Sequence, residues 1–220
     1  MIVAIDGPAG AGKSTISRML ADRCGCTYLD TGAMYRTVTL LAMEQGIAAS
    51  AYDELGMLSR NLEIGFQPGP GGVPRVFAGC REVTEEIRTQ EVTRGVSEVS
   101  AHAGVRTAMV EKQRLCAASG NVVVDGRDIG TVVFPAAEVK IFLTASVAER
   151  ARRRRLELEG KGVTVSQDKM EEEIAARDDY DSSREVAPLR AADDAIILDT
   201  TDMNIDQVVE RVAEIVDGAD

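Results

Sequence analysis

The residues best suited to chemistry stand in Gly7-Pro8-Ala9-Gly10-Ala11-Gly12-Lys13-Ser14, which fills the spacing G-x-x-x-x-G-K-[ST] completely. Glycines at 7, 10 and 12 let the main chain curl until successive N–H groups point inward. A helix starting near Lys13 adds its positive end to the same concavity. Lys13 is placed to reach the β- and γ-phosphates of a nucleoside triphosphate, and the Ser14 hydroxyl to coordinate Mg²⁺. The candidate cradle is therefore Gly7, Pro8, Ala9, Gly10, Ala11, Gly12, Lys13, Ser14 and Thr15. A Gly-rich turn that happens to end in Lys-Ser is the bland alternative. The apolar stretch before the motif and the helical stretch after it weigh against that alternative. The motif specifies a triphosphate but no reaction, because GTPases, ATPases and small-molecule kinases share it.

Three further groups could supply the rest of a site. In Leu29-Asp30-Thr31-Gly32-Ala33-Met34-Tyr35-Arg36 a strand end delivers Asp30 and Thr31 to the carboxyl edge of a sheet, and Arg36 follows where it could hold a phosphate. An N-cap followed by a surface arginine explains the same residues equally well. In the stretch from Val122 to Thr131 an apolar strand runs into Asp125-Gly126-Arg127-Asp128. Asp125 is positioned like the second carboxylate of P-loop enzymes, able to hold Mg²⁺ or its water, so the expected metal residues are Ser14 and Asp125. The third group is rich in arginine: Arg150 and Arg154 share a helix face, as do Arg177, Asp181 and Arg184 at i, i+4 and i+7. Mobile cations suit phosphoryl transfer, where charge spreads over the γ-phosphate oxygens, and a hinged polar segment would exclude water on closing. A solvated, salt-bridged face is the reading for Arg152 and Arg155.

These groups need a scaffold. Apolar runs at 2–5, 27–29, 122–124, 139–143 and 195–198 lack two-residue alternation, as buried parallel strands should. Helical stretches at 14–23, 32–44, 97–118 and 204–216 lie between or after them, which predicts an α/β sheet with right-handed crossovers. Two segments interrupt this alternation. Residues from about 47 to 90 contain a Gly/Pro turn between short apolar runs and read as a small β lobe. Residues 146–184 are polar and helical, broken at Gly160-Lys161-Gly162, and residues 217–220 read as a frayed tail.

Composition removes several classes of function. The net charge of −11 and the absence of tryptophan disfavour a nucleic-acid binder, even with the Arg152–Arg155 run. No apolar run approaches the roughly 20 residues of a membrane span. Met1 to Ile5 leads straight into the phosphate motif, so a cleavable leader would be cut through functional residues, and a cytoplasmic protein is expected. Cys24, Cys26, Cys80 and Cys116 lack zinc spacing and are expected as reduced, partly buried thiols. His102, the only histidine, lies in a helix-compatible stretch and is expected to be structural or on the surface. No long apolar face is left unassigned, so a monomer is expected.

With these residues in view, the chain resembles bacterial cytidylate kinases. The resemblance is carried by Ile5 through Ser14, Leu29 through Arg36, Ile87-Arg88-Thr89-Gln90-Glu91-Val92, Asp125 through Pro135, and Arg177-Asp178-Asp179-Tyr180-Asp181-Ser182-Ser183-Arg184. It implies an α/β fold with a three-layer P-loop core and a five-stranded parallel sheet, joined by an NMP-binding insert with a small β lobe and by a short helical lid. The implied division is 1–36 with 96–145 and 185–220 as core, 37–95 as insert and 146–184 as lid. The implied activity is transfer of the γ-phosphoryl of ATP to CMP or dCMP, with Mg²⁺ bound alongside ATP, within pyrimidine nucleotide metabolism.

By position, the resemblance places Thr31, Arg106, Asp128 and Arg184 around the cytosine, Ser97, Arg177 and Asp181 at the pentose, and Arg36 and Arg127 at the acceptor phosphate. Lys13, Arg127 and Arg36 then carry the charge stabilisation, and Arg150 and Arg154 contact the triphosphate. Thr31 stands where the family often has serine, which keeps the hydroxyl. Asp128 can accept from cytosine N4 while Arg106 and Arg184 donate to N3 or O2; uracil would leave these groups mispaired, a discrimination of about 10⁴-fold. Kinases of UMP, AMP or a metabolite such as shikimate are the enzymatic rivals. A GTPase switch is the rival of another class, disfavoured because no N-K-x-D stretch is present.

Overall fold

The computed structural model describes every residue except Ser119, Lys161 and Asp220. In chain order the elements are β1 (Ile2–Asp6), α1 (Lys13–Cys24), β2 (Thr27–Asp30), α2 (Thr31–Glu44), α3 (Tyr52–Asn61), β3 (Ile64–Gln67), β4 (Arg75–Ala78), β5 (Arg81–Glu82), α4 (Gln90–Ala101), α5 (Ala103–Ala117), β6 (Val122–Gly126), β7 (Val139–Thr144), α6 (Val147–Glu159), α7 (Gln167–Ser183), β8 (Ile196–Asp199) and α8 (Ile205–Asp217). Contacts divide the chain into two compact units, Met1–Tyr28 with Gly120–Asp220, and Leu29–Ser119. Residues 146–184 fall in the first of these. No helix among the described residues is long and apolar enough to cross a membrane.

The first unit is built on a five-stranded sheet of order β2-β6-β1-β7-β8. The β1–β6, β1–β7 and β7–β8 pairings are parallel, as the expected α/β core requires. Its β-branched strands bury Val3, Ile5, Val123 and Ile141 against Ile16 and Leu20 of α1 and Val212 and Val216 of α8. Glycine ends α1: Gly25 is left-handed (φ 63°), and the N–H of Cys26 returns to the Ala21 carbonyl at 2.9 Å. A capping box of Asn204 and Gln207 starts α8. The register pairs Ile5 with Asp125 and Asp6 with Gly126, so the loops leaving β1 and β6 emerge side by side. That adjacency positions the site. The polar segment 146–184 forms α6 and α7, which enclose a small core of Ala151, Leu158, Met170 and Ile174.

Two expectations for this unit need correction. Residues 27–29 and 195–198 are expected as buried strands, yet β2 and β8 are the two edges of the sheet, with Thr27 exposed in one and Ile196 and Ile197 in the other. An apolar run does not reveal whether both faces are covered. The frayed tail expected over 217–220 is instead tied to α8: Asp217 is helical, and the N–H groups of Gly218 and Ala219 donate to the Glu214 and Val216 carbonyls, both at 3.1 Å, while Asp220 lies outside the described residues. The break at 160–162 falls between α6 and α7, with Gly162 left-handed (φ 78°) and Lys161 outside the described residues.

In the second unit β3, β4 and β5 form the expected small antiparallel sheet, whose connection passes through Pro70–Gly72. Helix α3 was not anticipated. The single helix expected over 97–118 is instead α4 and α5, separated by His102 in an extended conformation (φ −67°, ψ 125°). His102 is buried, its Nε2 lies 2.5 Å from the Ala49 carbonyl oxygen, and Tyr52 meets its ring edge-on at 4.2 Å between centroids. It ties the helix break to the start of α3. Cys80 and Cys116 are exposed rather than partly buried, while Cys24 and Cys26 are half-buried as expected.

Replacing His102 with alanine removes one hydrogen bond and one edge-on aromatic contact. The expected loss is about 2 kcal/mol, which lowers Tm by roughly 4–8 °C in a chain of this size. Circular dichroism melting checks it, and an unchanged Tm would show that the helix break holds without the ring.

Candidate active site

The loop after β1 needs its glycines for different reasons. A Cβ on Gly7 (φ 149°) would stand 2.0 Å from the Leu143 carbonyl oxygen of β7, so no side chain fits there. Gly12 is left-handed (φ 89°) and forms the N-cap of α1, which starts at Lys13. The helix amides and Lys13 therefore face the same loop. Lys13 is buried, and its Nζ donates to the Pro8 carbonyl at 2.8 Å. Burial holds its pKa well below the usual lysine value; the nearby Arg127 and Arg177 push the same way, while Asp125 and Asp6 oppose them. A polyphosphate entering this loop offsets that repulsion and favours the charged amine.

Asp125, at the end of β6, accepts from the Ser14 hydroxyl at 2.8 Å and from the Tyr28 hydroxyl at 2.9 Å. Each carboxylate oxygen thus has its own donor, which fixes the plane of the group. A hydroxyl and a carboxylate beside a phosphate loop are hard oxygen donors, and they fit Mg²⁺ that shares its remaining positions with phosphate and water. Tyr28 carried no recognisable signal in the sequence, because nothing local tells that the strand beside β6 aims a phenol at Asp125.

Asp6 ends β1 and is buried. Its two oxygens accept the main-chain N–H groups of Ile129 and Gly130 at 2.8 and 2.7 Å. Burial raises its pKa to about 6; the two backbone hydrogen bonds and Lys13 pull it down, and Asp128 pushes it up. These bonds hold the turn that follows Arg127 and Asp128. Asp128 is itself buried.

The acidic and basic groups of α7 join the same unit. Arg127 Nε donates to Asp181 Oδ2 at 3.0 Å, and Arg184 Nη1 lies 4.0 Å from Asp181 Oδ1 while its Nε donates to the Asp181 carbonyl at 3.2 Å. The Asp181 carboxylate thus sits between two guanidinium groups. Arg184 is the C-cap of α7, past the last helical turn, so it does not share the helical face predicted for it with Arg177 and Asp181.

Arginines of α6 divide by role. Arg152 pairs with Glu149 and Arg155 with Glu159, as a salt-bridged face would. Arg154 pairs with Glu157 at 2.6 Å. Arg150 is buried and donates to the carbonyls of Ala145 and Ala9 at 2.9 and 3.0 Å, with Asp178 at 2.6 Å, so it fastens α6 and α7 to the phosphate loop's own backbone. Arg153, which sequence reasoning passed over, donates to Thr200 and lies with Nη1 3.9 Å from where a Cβ on Gly12 would stand. Only the way α6 packs brings it there.

In the second unit Asp30 caps α2 by accepting from Ala33 N at 2.8 Å, so the capping reading of that motif holds. Thr31 begins the helix and is buried. Arg36 is no bare surface arginine: its Nη1 donates to Thr93 Oγ1 on α4 at 2.7 Å. Arg106 is buried, donates to the Ser100 carbonyl at 3.2 Å and stands over the Tyr35 ring at 5.6 Å. Ser97 lies half-buried on α4.

Two outcomes follow from this geometry. The Asp6 carboxyl is expected to titrate near pH 6, read from its ¹³Cγ shift; its stabilising contribution is full below about pH 4 and is lost as pH rises through 6, because folding favours its protonated form. A midpoint near 4 would contradict the burial argument. Gly7→Ala is expected to weaken binding of a nucleoside triphosphate by at least about 100-fold, since the loop must move to relieve the clash with Leu143; calorimetry decides it.

A family model described as cytidylate kinase matches residues 3–218. The chain is 55% identical over 217 residues to the cytidylate kinase of Exiguobacterium sibiricum, covering 99% of this chain and 97% of that protein. It is 51% identical to the cytidylate kinase of Carboxydothermus hydrogenoformans (98% and 97% covered) and 50% identical to that of Bacillus cereus strain ATCC 10987 (98% and 96% covered). The similarity runs from the phosphate loop through the Asp125–Asp128 turn to the arginines of α6 and α7, and the chain belongs to the cytidylate kinase family.

Proposed function

We propose that this protein transfers the γ-phosphoryl group of ATP to CMP or dCMP, giving ADP and CDP or dCDP, in the pyrimidine nucleotide metabolism of the cytoplasm. The observation that carries this reading is the family match over residues 3–218, which spans the phosphate loop and the charged turn beside it. Nucleoside triphosphate chemistry follows from the loop, and a nucleotide acceptor follows from the family.

The acceptor phosphate oxygen is already anionic, so it attacks the γ-phosphorus directly as the bond to the ADP oxygen breaks, and no residue serves as nucleophile. Catalysis then consists of positioning and charge stabilisation. The loop 7–15 cradles the triphosphate; for Arg150 and Arg154 to contact it from α6, Arg150 gives up its bond to Ala9 or Asp178 and Arg154 its pair with Glu157. Lys13 offsets charge on the β- and γ-oxygens, and Arg36 and Arg127 hold the acceptor phosphate. Mg²⁺ bound with ATP would be held by Ser14 and Asp125, and it supplies neutralisation of phosphate charge.

Asp128 accepts from the cytosine amine, Arg106 and Arg184 donate to the ring acceptors, and Thr31 contributes its hydroxyl. Ser97, Arg177 and Asp181 meet the pentose. Burial of Asp128 and Arg106 supports these roles, since a buried group left without its hydrogen-bond partner strongly penalises the wrong base.

A coupled ADP-release assay across the nucleoside monophosphates tests the reading. CMP and dCMP are expected to be turned over in preference to UMP and AMP. Arg184→Ala is expected to lower kcat/KM for CMP by about 10- to 100-fold, the value of one charged hydrogen bond or slightly more. Preference for UMP or AMP would defeat the cytosine assignment, and an unaffected Arg184→Ala enzyme would remove Arg184 from the base pocket.

A further inference from the structure

Asp6 has no role in the chemistry described above, yet both of its carboxylate oxygens are engaged. It closes β1 immediately before Gly7, and its backbone pairs with Gly126. Its carboxylate accepts two consecutive main-chain N–H groups, those of Ile129 and Gly130, which directly follow Asp128.

Those amides open a wide π-helical turn, Ile129–Val133, in which the Asp128 carbonyl accepts from Val132 and Val133 at 2.9 and 3.2 Å. The first N–H groups of any helical turn have no partner within it and need an acceptor from outside. Here no side chain caps the turn from its own N-cap position, which Asp128 occupies with non-helical angles (φ −147°, ψ 27°). Asp6, from the neighbouring strand, accepts in its place. The Asp128 side chain therefore does not cap the turn that it precedes.

The turn also has little freedom to move off Asp6. A Cβ on Gly130 would stand 3.2 Å from Lys140 Cδ and 3.5 Å from Asp6 Oδ2. Lys140 in turn holds the Pro135 carbonyl and Asp194, both at 2.6 Å. The turn is thus packed between Asp6 and the Lys140 stem.

We propose that Asp6 is a positioning residue for base recognition: by holding the amides of Ile129 and Gly130, its carboxylate sets the position of Asp128. The inference rests on the reading of Asp128 as the acceptor of the cytosine amine. A carboxylate with two acceptor oxygens does this where an amide cannot, because an asparagine side chain turns an N–H toward one of the two main-chain N–H groups.

The test is a double-mutant cycle on CMP and ATP binding, measured by calorimetry with Asp6→Asn, Asp128→Asn and the double variant. Asp6→Asn is expected to weaken CMP binding roughly 10-fold and ATP binding less than about 3-fold, and to add less than about 2-fold when Asp128 is already asparagine. Equal weakening of both ligands, no weakening of CMP, or full additivity with Asp128→Asn would overturn the proposal. If Asp128→Asn alone bound CMP as the native protein does, the reading of Asp128 would be wrong and the proposal would fall with it, a failure that the single variant identifies by itself. Should Asp6→Asn not fold, Gly130→Ala presses on the same contact: selective loss of CMP binding supports the proposal, and an equal or absent loss overturns it.

Discussion

The structure is organised around positive charge that has been taken out of water and only partly neutralised. Lys13 is buried beside Arg127 and Arg177, and the carboxylates of Asp6 and Asp125 offset part of that repulsion. Such an arrangement is unfavourable for the protein alone, and it becomes favourable when an anion of high charge arrives. The negative surface implied by the net charge of −11 sharpens the effect, because the cationic region is local and not a general feature of the molecule.

Much of the remaining architecture can be understood as holding that charge in place. The parallel register of β1 and β6 sets Asp6 beside Gly126 and Ile5 beside Asp125, so the phosphate loop and the Asp125–Asp128 turn leave the sheet together. Ser14 and Tyr28 then fix the orientation of Asp125, and Arg150 joins α6 to the loop through the Ala9 carbonyl. A guanidinium suits this last task, since its planar fork can serve Ala145, Ala9 and Asp178 at once.

Asp181 illustrates how one carboxylate can organise two cations. Its oxygens face Arg127 and Arg184, which come from a strand-end turn and a helix C-terminus. Guanidinium groups that would otherwise repel each other are kept close, and each retains donors that the carboxylate does not use. The same economy appears at α2, where Asp30 caps the helix and also lies 3.5 Å from Arg88.

The sequence by itself determined the loop 7–14, the strands that flank it and the polar pair of helices over 146–184, because each rests on a local rule: glycine torsions, a helix N-terminus, or the burial of a β-branched run. The placement of Lys13 within that loop was legible for the same reason, since Pro8, whose carbonyl accepts from its Nζ, is a near neighbour in sequence. Partnerships across the sheet were decided by the tertiary structure alone. Tyr28 and Asp125 are separated by 97 residues, and Asp6 and Gly130 by 124, so no local pattern links them. The helix break at His102 belongs to the same class: its stretch is compatible with helix, and a long-range bond to Ala49 accompanies the break. Hydrogen bonds between distant segments depend on strand register and helix packing, which arise only when the whole apolar core has condensed.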